Sequence, residues 1–148
     1  MKIRDVMTQE PTCCTPETSL EAVARLMVDC DCGAIPVVGD LAGKFPVGLI
    51  TDRDIVTRVV AAGKNPFELV ARDCMTAPAI TVTDETDLEE CIDMLELNQI
   101  RRCIVVDRDG RICGIVAQAD IAAHASKRKA GEMVREVSQP THARAFSH

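Results

Sequence analysis

The sequence predicts a mixed α/β (α+β) protein made of two tandem β-α-β-β-α repeats, and three observations carry that expectation. First, the chain says the same thing twice. Arg4-Asp5-Val6-Met7-Thr8 returns as Arg72-Asp73-Cys74-Met75-Thr76, and Thr15-Pro16-Glu17-Thr18-Ser19-Leu20-Glu21 returns as Thr83-Asp84-Glu85-Thr86-Asp87-Leu88-Glu89. Ile35-Pro36-Val37-Val38 then answers to Cys103-Ile104-Val105-Val106, and Gly48-Leu49-Ile50-Thr51-Asp52-Arg53-Asp54-Ile55 to Gly114-Ile115-Val116-Ala117-Gln118-Ala119-Asp120-Ile121. Second, apolar spacing switches from helical to extended at the same places in both copies. Third, each copy has a turn between two apolar runs, the second turn being slightly shorter. A repeat too small to bury its own apolar face needs a partner, and a second copy supplies one.

Each copy opens with a short extended segment leading to a helix. Thr18 with Glu21, and Thr86 with Glu89, have the spacing of capping boxes at the helix starts. Leu20, Val23, Ala24 and Met27 form one apolar stripe, and Leu88, Cys91, Ile92 and Leu95 form its twin at i, i+3, i+4 and i+7. Strands are expected at Ala34 to Val38 and Arg102 to Val106, then at Val47 to Ile50 and Ile112 to Val116. Arg108-Asp109-Gly110 is a strong hairpin signal between the second pair, and Gly39 to Lys44 is a looser turn between the first. Closing helices are expected from about Asp52 to Val60 and about Ala119 to Ala125. In the tight linker, Gly63-Lys64-Asn65-Pro66 ends one helix, and Asn65-Pro66 can start a short one. These boundaries give a first repeat (1–62), a linker (63–72), a second repeat (73–126) and a C-terminal helical extension and tail (127–148). The extension is expected to stay helical to about Val137.

With 148 residues, 47% of them hydrophobic, the chain has ample material for a globular core. A net charge of −6 repels a nucleic-acid backbone, which argues against such a partner. The start lacks the apolar stretch of a signal peptide and no hydrophobic run approaches membrane-spanning length, so a cytoplasmic protein is expected, with no membrane partner.

The eight cysteines can be tested against the repeat. Cys14, Cys32, Cys74, Cys91, Cys103 and Cys113 stand where the other copy has Val or Ile, which reads as small buried hydrophobes. Cys13 and Cys30 stand opposite Thr81 and Asn98 and escape that pattern. No CxxC pair occurs and the spacing is poor for zinc. The open alternative to packing is a thiol switch among Cys13, Cys14, Cys30 and Cys32.

Gly48 to Asp54 is the most informative local motif, a strand turning into a helix with a hydroxyl and, three residues on, a carboxylate. Thr51 and Asp54 satisfy a capping box. The same geometry suits a nucleotide, because free N–H groups at a helix start attract phosphate and a fixed carboxylate accepts ribose hydroxyls. Arg101 and Arg102 stand opposite Gly33 and Ala34, either as a basic cleft mouth or as solvated charges on a strand edge. Arg53 and Arg58 on the helix after Thr51 are weaker candidates for the basic mouth, a solvated helix face being the favoured reading, and Lys127-Arg128-Lys129 reads as a surface charge run.

Two copies of β-α-β-β-α ending in Gly-h-h-Thr-x-x-Asp, each opened by Val/Cys-Met-Thr, resemble tandem CBS domains, the family named after cystathionine beta-synthase. The resemblance covers roughly residues 1 to 125. It implies a Bateman module, two repeats packed by their sheets about a pseudo-twofold axis with two clefts that in many members hold AMP, ADP, ATP or a related adenosyl ligand. It also implies dimers. Carried over residue by residue, it implies a first cleft of Thr51, Asp52, Arg53, Asp54, Cys74, Met75, Thr76, Ala79, Ile80, Ile100 and Arg101. A second cleft draws on Val6, Pro11, Thr12, Cys32, Gly33, Arg102, Ala117, Gln118 and Asp120. Ala117 departs from the pattern, having no hydroxyl where the first copy has Thr51. A lost hydrogen bond costs about 0.5–1.5 kcal/mol, so unequal sites are expected.

With no Trp or Tyr and only Phe45, Phe67 and Phe146, the chain offers few rings to stack on a base. Adenine would sit between aliphatic side chains and read main-chain groups. No nucleophile elbow, phosphate-binding loop or metal-binding histidine pair is present, and His124, His142 and His148 have no plausible partner, so no catalysis is expected. The leading expectation is a regulatory module that requires no cofactor, senses an adenine nucleotide, dimerises and signals to an unidentified effector protein. The alternatives are a ligand-free interaction module and a cysteine-based redox sensor.

Overall fold

Two apolar runs of five or six residues in each copy become two antiparallel strand pairs in a computed structural model that describes residues 1–124. The elements are β1 (Thr8–Gln9), α1 (Leu20–Cys30), β2 (Ala34–Val38), β3 (Pro46–Thr51), α2 (Asp52–Ile55), β4 (Thr81–Thr83), α3 (Leu88–Asn98), β5 (Arg102–Val106), β6 (Ile112–Ala117) and α4 (Gln118–Ala122). The expected strand pairs β2–β3 and β5–β6 are present, β3 and β6 each running slightly further than their apolar cores. The helical extension and tail expected beyond residue 126, with His142, Phe146 and His148, lie outside the described residues.

The chain divides into two compact units that do not follow its repeats. Among the described residues, one comprises Met1–Glu10 with residues 81–124, and the other Pro11–Ile80. In the first unit, β4 runs parallel to β5, β5 antiparallel to β6, and β1 adds to β6 with Thr8 opposite Ile115. Its core is Ile3, Leu88, Cys91, Ile92, Leu95, Cys103, Val105, Val116 and Ile121. In the second unit, β2 and β3 form a hairpin, and a bridge between Leu49 and Thr76 adds the segment after the linker to β3. Its core is Cys14, Leu20, Val23, Met27, Ile35, Val37, Ile50, Val59, Ala71 and Cys74. The opening strand expected in the first copy shrinks to one parallel bridge, Cys14 with Val37.

Thus the Met-Thr dipeptide that opens each copy lies on the sheet strand of the other copy. Glycine makes this possible. A Cβ on Gly48 would stand 2.8 Å from the Thr76 carbonyl oxygen, and one on Gly114 would stand 3.0 Å from that of Thr8 and collide with the Met7 sulfur.

Several local expectations are corrected. Helix α1 is capped by Ser19, whose Oγ accepts from Ala22 N at 3.1 Å, and α3 starts after Asp87 without a side-chain cap. Thr18 and Thr86 instead pair with Thr15 and Thr83 hydroxyls in the preceding turns, and Glu21 pairs with Arg25 at 3.0 Å. Ala24 is exposed, while the rest of its stripe and the whole of its twin are buried. The helix after β3 is α-helical only to Ile55 and continues as a wider π turn over Val56–Val60, with Ala61 N donating to Val56 O at 2.8 Å.

Two turns form as expected. Asn65 caps the Pro66–Glu68 turn, and Gly110 adopts φ 83 in the β5–β6 hairpin, where Asp107 Oδ1 accepts from Asp109 N and Arg111 N.

None of the eight cysteines forms a disulfide. Cys14, Cys74, Cys91 and Cys103 are buried, as the counterpart Val and Ile residues suggest, and Cys113 is half-buried. Cys32 breaks the expectation: it is exposed where the chain leaves α1 for β2.

Candidate functional site

The β3–α2 junction holds the only buried polar or charged side chain among the described residues, Asp54, at 3% exposure. Thr51 ends β3 in extended geometry and caps α2. Its Oγ1 accepts from Asp54 N at 3.1 Å, and Asp54 Oδ2 accepts from Thr51 N at 3.0 Å, the reciprocal box that the sequence predicts. A buried carboxylate needs a further partner, since removing charge from water costs several kcal/mol. Arg58, four residues on, provides it, with Nε 3.8 Å from Asp54 Oδ1.

Arg58 also reaches sideways, its Nη1 lying 3.3 Å from Cys74 O and 3.2 Å from Met75 O. The guanidinium therefore joins the buried carboxylate to the segment that crosses β3. Reading Arg58 as part of a solvated helix face is thus incorrect. The signal that locates it is the Asp54–Arg58 spacing of i, i+4, which puts the two side chains on one helical face. Arg53, by contrast, is exposed as expected.

The helix start differs from expectation in one chemical respect. Asp52 N donates to Gly33 O at 2.9 Å, Arg53 N to Asp52 Oδ1 at 2.8 Å, and Asp54 N to Thr51. The three N–H groups expected to be free for phosphate are all engaged within the chain. Gly33 is tied to this corner, because a Cβ there would meet the exposed Asp52 carboxylate at 2.9 Å.

Of the residues expected in the first cleft, Thr51, Asp52, Arg53, Asp54, Cys74, Met75, Thr76, Ala79 and Ile80 all belong to the Pro11–Ile80 unit, whereas Ile100 and Arg101 belong to the other. Thr76 is locked to β3 by Thr76 N to Leu49 O at 2.8 Å and Leu49 N to Thr76 O at 2.9 Å. Cys74 is buried, and burial together with the nearby Asp54 charge pushes its thiol up to about 11. Ile80 is 39% exposed.

Of the second set, Val6, Arg102, Ala117, Gln118 and Asp120 share the other unit, and Pro11, Thr12, Cys32 and Gly33 do not. Arg102 stands opposite Ala117 across β5 and β6. Asp120 Oδ2 accepts from Ala117 N at 3.3 Å, but Ala117 has no oxygen to return the bond. Where the first copy has Arg58, the second has His124, whose Nδ1 lies 2.9 Å from its own helix's Asp120 O. Asp120 is half-buried and Asp54 fully buried, so the two carboxylates differ in access as well as in partners.

Thr12 accepts a hydrogen bond from the exposed Cys30 thiol at 3.2 Å, and Cys13 donates to Pro11 O at 3.3 Å. Among the described residues, no group of three or more His, Cys, Asp or Glu could hold a metal ion, and no helix is long and apolar enough to cross a membrane.

The family model described as CBS domain matches residues 3–61 and 71–127. The chain is 40% identical over 118 residues to an uncharacterized protein, MK0525, of Methanopyrus kandleri, covering 80% of this chain and 57% of that one, so it spans little more than half that relative's length. It is 33% identical over 137 residues to hypoxic response protein 1 of Mycobacterium tuberculosis, covering 93% of this chain and 94% of that one.

Solved structures agree in fold. That of hypoxic response protein I with two coordinated zinc ions superposes with a TM-score of 0.74 at 34% identity, covering 85% of this chain and all of that one. CBSX2, known from Arabidopsis thaliana, was solved in complex with AMP and superposes at 0.69 with 26% identity, covering 86% and 98% of the two chains. The CBS domain pair of MJ0100, in complex with 5-methylthioadenosine and S-adenosyl-L-methionine, superposes at 0.73 with 25% identity, covering 83% and 94%.

Proposed function

The chain belongs to the CBS-domain family, and from that premise we propose that it is a regulatory module binding an adenine nucleotide, AMP, ADP or ATP, or a related adenosyl ligand, at the Thr51–Asp54 junction. The observation that carries this reading is the buried Asp54 carboxylate, held between Thr51 and Arg58 beside a segment contributed by the other sequence repeat. A helix cap alone does not require a buried charge with a dedicated arginine. Each carboxylate oxygen has lone-pair capacity beyond its present partner, and the half-buried Thr51 hydroxyl stands next to it, a pairing suited to vicinal ribose hydroxyls. Arg53, exposed on the first turn, is the cation for phosphate, a role the engaged N–H groups leave open. Met75, Ala79 and Ile80 give the base an aliphatic seat. AMP in CBSX2 and adenosyl compounds in MJ0100 support the ligand class.

The proposal includes no catalytic step. Occupancy is signalled through conformation or oligomeric state to an effector protein, and only a ligand with different affinities for two states shifts such an equilibrium. A homodimer is part of the proposal: Val56 and Val60 stand one helical turn apart with 56% and 57% exposure, an apolar pair suited to a second copy. The engaged helix-start donors favour one other reading, a ligand-free interaction module that uses that same helix surface.

Thermal-shift measurements against AMP, ADP, ATP, GMP and adenosine separate the two. The nucleotide reading expects a concentration-dependent rise in melting temperature with adenine compounds, weakened more by Asp54→Asn than by Asp120→Asn. No rise with any compound at millimolar concentration supports the interaction module, and equal losses in the two variants overturn the ranking of the sites.

A further inference from the structure

We infer that Arg58 is the positioning residue of the Asp54 site: without touching the ligand, it fixes the carboxylate and the Cys74–Met75 main chain in one arrangement. This rests on the nucleotide reading and deepens it. Three contacts carry the inference, Nε to Asp54 Oδ1 at 3.8 Å and Nη1 to Cys74 O and Met75 O at 3.3 and 3.2 Å. Arginine suits the task because its planar fork of donors serves several acceptors in fixed directions, whereas a lysine ammonium is a point charge on a flexible stem. The side chain is 35% exposed and its head is directed at the protein's own oxygens.

Main-chain bonds between Thr76 and Leu49 and the packing of Cys74 hold that segment against β3, and Arg58 alone among these contacts ties it to the Asp54 carboxylate. Asp54 belongs to the first repeat and Met75 to the second, so the base seat and the ribose acceptor keep a common register only if something spans them. The second repeat lacks this device, since His124 occupies the corresponding place and turns back on its own helix at Asp120 O. The difference between the two carboxylates is therefore larger than the missing hydroxyl at Ala117 alone.

The test is calorimetric titration of wild type, Arg58→Met, Arg58→Lys and the control His124→Met with AMP and, separately, adenosine. Arg58→Met is expected to weaken both ligands by the same factor, roughly tenfold. Arg58→Lys restores part of that loss by returning the charge but not the fork, and His124→Met leaves the affinity for both ligands unchanged. Equal loss for a ligand with and without phosphate is the signature of positioning. Loss for AMP with adenosine unaffected makes Arg58 a direct phosphate contact and overturns the inference, as does unchanged affinity in both Arg58 variants while wild type binds. A wild type that binds neither ligand defeats the nucleotide reading itself and this inference with it. Should Arg58→Met fail to fold, Arg58→Lys and Arg58→Gln carry the same comparison.

Discussion

Thr51 and Ala117 are equivalent residues that differ by one hydroxyl, and the difference is visible in the bonds. Thr51 both gives and takes in its cap, whereas Ala117 only gives. Thr51→Ala should therefore lower unfolding free energy by about 1 kcal/mol, and Ala117→Thr should raise it by a similar amount, read from urea midpoints.

Cysteine chemistry offers a second prediction at this scale. Burial pushes Cys14 and Cys103 up to about 12 and Cys74 and Cys91 up to about 11, from an ordinary 9.0. The folded chain keeps protons that the unfolded chain releases. Their contribution to stability is fully present below about pH 9 and is lost as pH rises through 11 to 12. The urea midpoint should fall steadily above pH 9, and substituting the four buried thiols by Val or Ala should flatten that fall. At pH 8, a thiol reagent should modify the exposed Cys30 and Cys32 first, with the four buried thiols reacting only on unfolding. Fast labelling of Cys14 would contradict the packing.

Among the elements, the strands and the start of α2 are legible in the sequence, and the starts of α1 and α3 are not. Continuous apolar runs mark β2 and β5, which are buried along nearly their whole length, and apolar runs that alternate between buried and half-buried positions mark β3 and β6 almost to the residue. Thr-x-x-Glu misplaced the starts of α1 and α3 by one residue. Threonines at 15, 18, 83 and 86 bond one another, which takes the hydroxyls out of the cap.

In sequence, the glycine of each Gly-h-h-Thr/Ala corner belongs to a helix-start motif, yet its larger role is to let the other copy's Met-Thr cross the strand. Spacing alone carries no record of what lies above a glycine. Gly48→Ala should consequently destabilise by about 1–3 kcal/mol, since the nearest obstacle is the Thr76 carbonyl and not a mobile side chain. Gly63→Ala meets no atom within 4 Å, and its cost comes only from φ 75.

For the molecule as a whole, the compact units cut across the repeats that the sequence shows. Ala71 and Cys74 complete the core of the Pro11–Ile80 unit, and Ile3 completes the other. A fragment of residues 11–80 should melt cooperatively by circular dichroism, while residues 1–62, cut at the repeat boundary, should show no transition. The reverse result would contradict the two units described.

The candidate site was legible as far as Thr51, Asp54 and the segment from Cys74, because the repeated motif and its family resemblance mark them. The role of Arg58 is only half legible: its i, i+4 spacing from Asp54 is in the sequence, but its other partners, two main-chain oxygens beyond the linker, leave no mark there.

If the Thr51–Asp54 junction receives an adenosine moiety, calorimetric titration of the wild-type chain with AMP detects it. Saturable heat that Asp54→Asn weakens or abolishes is the expected result. A flat titration up to millimolar AMP, ADP and ATP, from protein shown to be folded, would contradict it.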